Sequence, residues 1–117
     1  MTSAGPVSLA QTVQALNLSV VTGEDHLAAE LQGAIVGDLL SYVMANGKPG
    51  WLWITIQTHP NVVAVAALAR LAGIVIAAGF TPEEDTVARA EEEGLPLLTS
   101  PEPAYVLAGR LWDLGVR

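Results

Sequence analysis

The chain has 117 residues, 51% of them hydrophobic, a formal net charge of −7 and no cysteine. That length sets a single domain with a real core, and five basic residues are too few to neutralise a phosphate track, which argues against a nucleic-acid partner. The missing cysteine removes disulfides, thiolate metal sites and a cysteine nucleophile, and fits a cytoplasmic setting.

In chain order, residues 1–7 read as a flexible N-terminal tail and 8–117 as the folded domain. Met1 to Pro6 has neither a basic n-region nor a long apolar h-region, so no signal peptide is expected. Ser8 to Leu16 reads as a helix, capped by Ser8 with Gln11 completing a capping box and Leu9, Val13 and Leu16 on one face. Leu18 to Val21 is a short strand closed by Thr22-Gly23. Glu24 to Leu31 reads either as a loop or as an irregular strand. Gly33 to Val36 is a strand, stopped by Gly37-Asp38. Asp38 is the expected N-cap of a helix over Leu39 to Ala45, and Asn46-Gly47 ends it.

Pro49-Gly50 then opens an apolar, aromatic and β-branched run, Trp51 to Ile56. A polar turn with Pro60 follows, then a helix from Val62 to Leu71 and a second apolar strand from Gly73 to Ala78. This is a βαβ unit, and the turn leaving such a strand is where ligands usually sit. Thr81-Pro82-Glu83-Glu84 reads as a cap, a first-turn proline and a capping-box glutamate for a helix ending at Glu93-Gly94. Thr86 and Glu91 to Glu93 form its expected solvated side. Leu95 to Thr99 is a strand. Ser100-Pro101 starts a final helix with Tyr105, Ala108, Leu111 and Trp112 on one stripe. Strands alternating with helices predict an α/β domain, a mostly parallel sheet flanked by helices. No apolar run reaches the roughly 20 residues of a membrane span, because Lys48, Gln57 to His59 and Arg70 interrupt them.

The helix from Val62 to Leu71 is apolar almost all round, with Arg70 its one charge. It must be covered on several sides, either by a second subunit or by another helix of the same chain. The strand before it places Trp51 and Trp53 on one face and Leu52, Ile54 and Ile56 on the other, so both faces need cover. A small domain has little interior for all of this, and the expectation is a homodimer.

Several phrases in serial order resemble the DRTGG domain family. They are Thr22-Gly23-Glu24, Gly33-Ala34-Ile35-Val36-Gly37-Asp38-Leu39-Leu40-Ser41, Trp53 to Asn61, Ala72-Gly73-Ile74-Val75, Gly79-Phe80-Thr81-Pro82 and Pro96-Leu97-Leu98-Thr99. The resemblance spans about residues 8 to 115. It implies a fold similar to the N-terminal domain of HPr kinase/phosphatase. It also implies a small regulatory or ligand-sensing module, often dimeric, without chemistry of its own. The namesake Asp, Arg, Thr, Gly and Gly fall on Ala28, Ala29, Gln32, Gly33 and Ala34. Only Gly33 is kept, so a contact made through the family's Asp and Arg is not available to this chain.

The residues support binding better than catalysis. The one Gly-Lys pair, Gly47-Lys48, is followed by Pro49, and Tyr42 stands where a phosphate loop needs its first glycine. Gly79 alone makes no dinucleotide fingerprint. His26 and His59 lack neighbouring ligands for a metal, and no cofactor is expected. His59 is the leading functional candidate, because it precedes a helix start whose free N–H groups favour an anion; capping that start together with Thr58 is its expected primary role, and ligand contact a secondary one. Asp38, Ser41, Gln57, Thr58, Asn61, Gly79, Thr99 and Ser100 follow the ends of their strands and would gather with His59 around a small polar pocket. The expected function is a non-catalytic regulatory module binding a small anionic ligand, a nucleotide among the candidates. The alternative is a pure protein-interaction module. A small enzyme built on His59 and Asp38, with Ser41 as nucleophile, is the remaining option, and the spacing shows no nucleophile elbow.

Overall fold

The computed structural model describes residues 5–117. Its helices are α1 (Leu9–Leu16), α2 (Leu40–Asn46), α3 (Asn61–Ala69), α4 (Glu84–Glu93) and α5 (Ala104–Leu114), and its strands are β1 (Ser19–Thr22), β2 (Gly33–Val36), β3 (Trp51–Thr55), β4 (Gly73–Ile76) and β5 (Leu97–Thr99). The five strands form one sheet in the order β1-β5-β4-β3-β2. β2 to β5 run parallel, with Gly33 opposite Trp51, Leu52 opposite Gly73 and Ile74 opposite Leu97. β1 is antiparallel to β5, with an irregularity between Val20 and Thr22.

The expected α/β architecture is therefore present. Three consecutive parallel connections run through α2, α3 and α4, and all three helices contribute to one apolar cluster with Trp53, Ile74 and Leu97. α1 and α5 cover the other face over Leu52, Ile54, Val75 and Leu98. The central strands β3 and β4 thus find cover on both sides, which is why they read as unbroken apolar runs, while Val36 at the end of the edge strand β2 is 46% exposed.

That cover comes largely from within the chain. Trp53 is fully buried and its indole N–H donates to the Gly37 carbonyl at 2.8 Å. Val62, Val63, Val65 and Ala66 of α3 are buried between α2, α4 and the sheet, and Leu68 is the large side chain of that helix left outside, 72% exposed. The apolar character of α3 is thus met by the chain's own helices, and a second subunit is not required to explain it. Ile56, expected beneath a cover, is 41% exposed where β3 ends.

Several local readings shift. The Ser8 capping box with Gln11 forms as the sequence indicates. Val7, within the stretch read as a tail, is buried, and its carbonyl accepts from Leu31 N–H; residues 1–4 lie outside the described residues. The segment after β1 is a short 3-10 turn, Glu24–His26, followed by a turn through Leu27 and Ala28 and an isolated antiparallel bridge from Glu30 to Ser8. Ala29 and Leu27 carbonyls there accept from Leu9 and Ala10 N–H, which satisfies two orphan donors at the start of α1. Asp38 is not the cap of α2, whose N-cap is Leu39 without a side-chain bond; its carboxylate is taken by β3 instead. Thr81 does not cap α4, which starts after Glu83. Thr86 is buried rather than solvated, because its hydroxyl donates to the Thr58 carbonyl. α5 starts after Pro103, not at Ser100, since the Ser100 Oγ accepts from Glu102 N–H in a local turn that delays the helix. On α5 the expected stripe splits: Leu111 is buried, while Tyr105 and Trp112 are 89% and 59% exposed.

Candidate ligand site at the carboxyl edge of the sheet

Because β2 to β5 are parallel, their carboxyl ends share one edge. Gly37 to Leu39, Ile56 to Pro60, Ala77 to Phe80 and Ser100 to Pro103 leave the sheet there. The sequence-derived candidates accordingly lie along this edge, but they divide into three groups.

The first group joins β2 to β3. Asp38 Oδ1 accepts from the Thr55 hydroxyl at 2.8 Å and from Ile56 N–H at 2.9 Å. Gln57 donates through Nε2 to the Asp38 carbonyl at 3.0 Å, and its N–H reaches Thr55 Oγ1 at 3.1 Å. Asp38 and Gln57 are thus engaged in holding two strand ends together. Ser41 is exposed on the first turn of α2 and joins none of these bonds.

The second group opens α3. His59 is exposed, and its Nδ1 accepts from Asn61 N–H at 3.1 Å, which places the proton of a neutral ring on Nε2. Val62 and Val63 N–H donate to the His59 and Pro60 carbonyls. The donors that an anion would use at this helix start are therefore already occupied in part, and His59 acts as a cap. The Thr58 carbonyl accepts from both Glu83 N–H and the Thr86 hydroxyl, tying this turn to α4.

The third group surrounds a cleft of about 400 Å³ beside β4 and β5, lined by Gly79, Thr99 and Ser100 together with Phe80, Pro82 and Val87. That volume suits a small ligand. Gly79 N–H donates to the Ser100 carbonyl and Ala78 N–H to that of Glu102, so the loop after β4 is pinned to the loop after β5. Lysine and arginine are absent from the lining, which would meet a ligand with hydroxyls, backbone and apolar surface.

Asp38, His59 and Ser41 share no hydrogen bond, so the acid–base–nucleophile trio is not assembled. Among the described residues no buried side-chain nitrogen or oxygen lacks a partner, and no group of three His, Cys, Asp or Glu residues is arranged to hold a metal. The strand order 2-3-4-5 also contains no reversal between parallel strands, and so no crevice of the kind that such a reversal opens.

Sequence reasoning missed a second cleft at the opposite edge, about 430 Å³, where Arg70, His26 and Glu93 stand around Gly50, Ala66 and Gly94. Arg70 caps α3 in the left-handed conformation, φ +57°. An arginine where helices usually place glycine is the signal that marks this edge. One namesake position lies here, since Ala29 lines the cleft; Gly33, at the start of β2, lies so close to the Trp51 indole that an added Cβ would sit 2.6 Å from Nε1.

A model of the DRTGG domain family matches residues 11–113. No curated protein sequence matches the chain. Among solved structures, the chain is similar to the CBS and DRTGG domains of the regulatory region of Clostridium perfringens pyrophosphatase, described in complex with the activator diadenosine tetraphosphate. The TM-score is 0.69 at 13% identity, over 89% of this chain and 45% of the other, so this chain spans about half the length of that neighbour. At that identity the likeness is one of fold. The family match covers every element from the middle of α1 to the end of α5, and on that ground the chain belongs to the DRTGG domain family.

Proposed function

We propose that this chain is a non-catalytic regulatory module that senses a small anionic ligand, with a nucleotide as the leading class. The observation that carries the reading is the DRTGG match over almost the whole chain. The solved neighbour lends chemistry to it, since its regulatory region is described with a dinucleoside polyphosphate activator. The proposed site is the carboxyl edge: Gly79, Thr99 and Ser100 around the cleft, His59 Nε2 and Asn61 at the start of α3, and Asp38, Ser41, Gln57 and Thr58 flanking them. Cytoplasmic placement and pairing of two copies belong to the same reading.

Calorimetric titration with diadenosine tetraphosphate, then with mononucleotides, tests it. Saturable binding weakened by Thr99→Ala and His59→Ala, with the fold intact, is the expected result. Saturable binding unaffected by both changes overturns the site, and no binding of any nucleotide overturns the ligand class. A protein-interaction role is the second reading. It is favoured by Tyr105 and Trp112, two large hydrophobic side chains left outside that line one groove on α5, since apolar surface gathered in a patch marks contact sites.

A further inference from the structure

The outward side of α5 carries a feature that the chain's own packing does not explain. Gly109 lies in the middle of this helix, where glycine is unfavourable relative to alanine. A Cβ built on it would meet nothing within 4 Å, so no neighbour in the chain demands a glycine there. Tyr105 and Trp112 stand one turn before and one turn after it, both exposed. Between them lies a groove of about 540 Å³ that also takes in Val106, Arg110 and Asp113. A bare helix backbone between two exposed aromatic rings is a notch into which a second helix can come close.

The patch continues towards the open edge of the sheet. Trp112 and Val116 meet Ala34 and Val36 of β2 in a smaller groove of about 180 Å³. β2 is an edge strand, and Gly33-Ala34-Ile35-Val36 contains no charge or proline to discourage pairing.

Charge selects the occupant. The protein carries −7, so two copies repel over most of their surface. From residue 104 onward, Arg110 and Arg117 outnumber the single acid, Asp113, and the chain's other acids lie outside this segment. Arg110 and Asp113 are three residues apart and line the same groove. When two such helices meet antiparallel about a two-fold axis, Arg110 of each comes within side-chain reach of Asp113 of the other. This is the self-complementarity that an isologous contact needs.

We propose that the outward face of α5, centred on Gly109 between Tyr105 and Trp112, is the surface on which two copies of this chain pair. The proposal rests on the paired reading above and gives it a location.

Sedimentation velocity of the full chain from low to high micromolar concentration tests both. The expected result is a dimer that Gly109→Gln and Trp112→Glu each weaken by roughly tenfold or more. Their melting curves stay cooperative, and that of Gly109→Gln moves no lower at concentrations where both proteins are monomeric. Leu68→Glu, on exposed α3 surface, leaves the dimer unchanged. A wild-type dimer that neither α5 variant weakens overturns the location and leaves pairing standing. A wild-type monomer at high micromolar concentration overturns pairing and location together, and leaves this face to a different protein.

Discussion

Asp38 is the candidate residue whose structural and ligand-binding roles separate most cleanly, and replacing it with alanine tells them apart. Its Oδ1 holds the Thr55 hydroxyl and Ile56 N–H, at 2.8 and 2.9 Å. The two bonds are unequal in consequence. Ile56 is exposed, and its N–H finds water when the carboxylate goes. Thr55 is 1% exposed, so its hydroxyl loses its acceptor in a place that water does not reach. A stranded buried donor costs about 1–3 kcal/mol. Asp38 is itself exposed, which puts the loss in the lower part of that range, about 1–2 kcal/mol. For a domain of this size that lowers the melting temperature by about 4–8 °C. Asp38→Asn keeps an acceptor oxygen and costs under about 1 kcal/mol. Thermal and urea melts of Asp38→Ala, Thr55→Val and the double variant complete the cycle, with a coupling of about 1 kcal/mol expected. An Asp38→Ala protein that melts as the wild type, or a cycle that is purely additive, would refute the strand-joining role and return Asp38 to the ligand alone.

Ser8→Ala removes the hydroxyl that accepts from Gln11 N–H in the α1 capping box and lowers stability by about 1 kcal/mol in a urea melt. Trp53→Phe keeps most of the buried ring but strands the Gly37 carbonyl, for a loss of about 1–2 kcal/mol by the same measurement. Arg70→Gly relieves a left-handed arginine at the end of α3 and raises stability by about 0.5 kcal/mol, while the opposite result would show that the arginine side chain holds the amino edge together. Leu68→Glu changes stability by less than about 0.5 kcal/mol, because the side chain it replaces already faces water.

The elements were legible because each carried a local mechanism. The Ser8 and Gln11 pair, the β-branched run Trp51 to Thr55 and the Asn46-Gly47 stop all act within a few residues, and all stand where the sequence puts them. What stayed hidden was set by distant partners. The antiparallel direction of β1 is decided by its pairing with β5, about 80 residues away, and four residues of β1 carry no sign of direction. Asp38 and Thr81 are residue types that caps favour, and tertiary structure used other solutions: a neighbouring strand claimed Asp38, and α4 began later than Thr81. The apolar helix α3 was rightly recognised as needing cover, but which neighbour supplies it depends on how α2 and α4 flank it. For the candidate site, the shared edge followed from parallel strands, whereas its division into three groups followed from which polar groups the loops had already spent on one another.

The central claim is that this chain recognises a ligand and does not transform it. Its most direct test is a thermal-shift series with diadenosine tetraphosphate and mononucleotides, with each nucleotide recovered and analysed by chromatography after incubation. The account predicts a melting temperature that rises with ligand concentration and saturates as binding to the folded state alone requires, with the nucleotide recovered unchanged. A melting temperature indifferent to every nucleotide, or a product that accumulates with protein concentration, would contradict it.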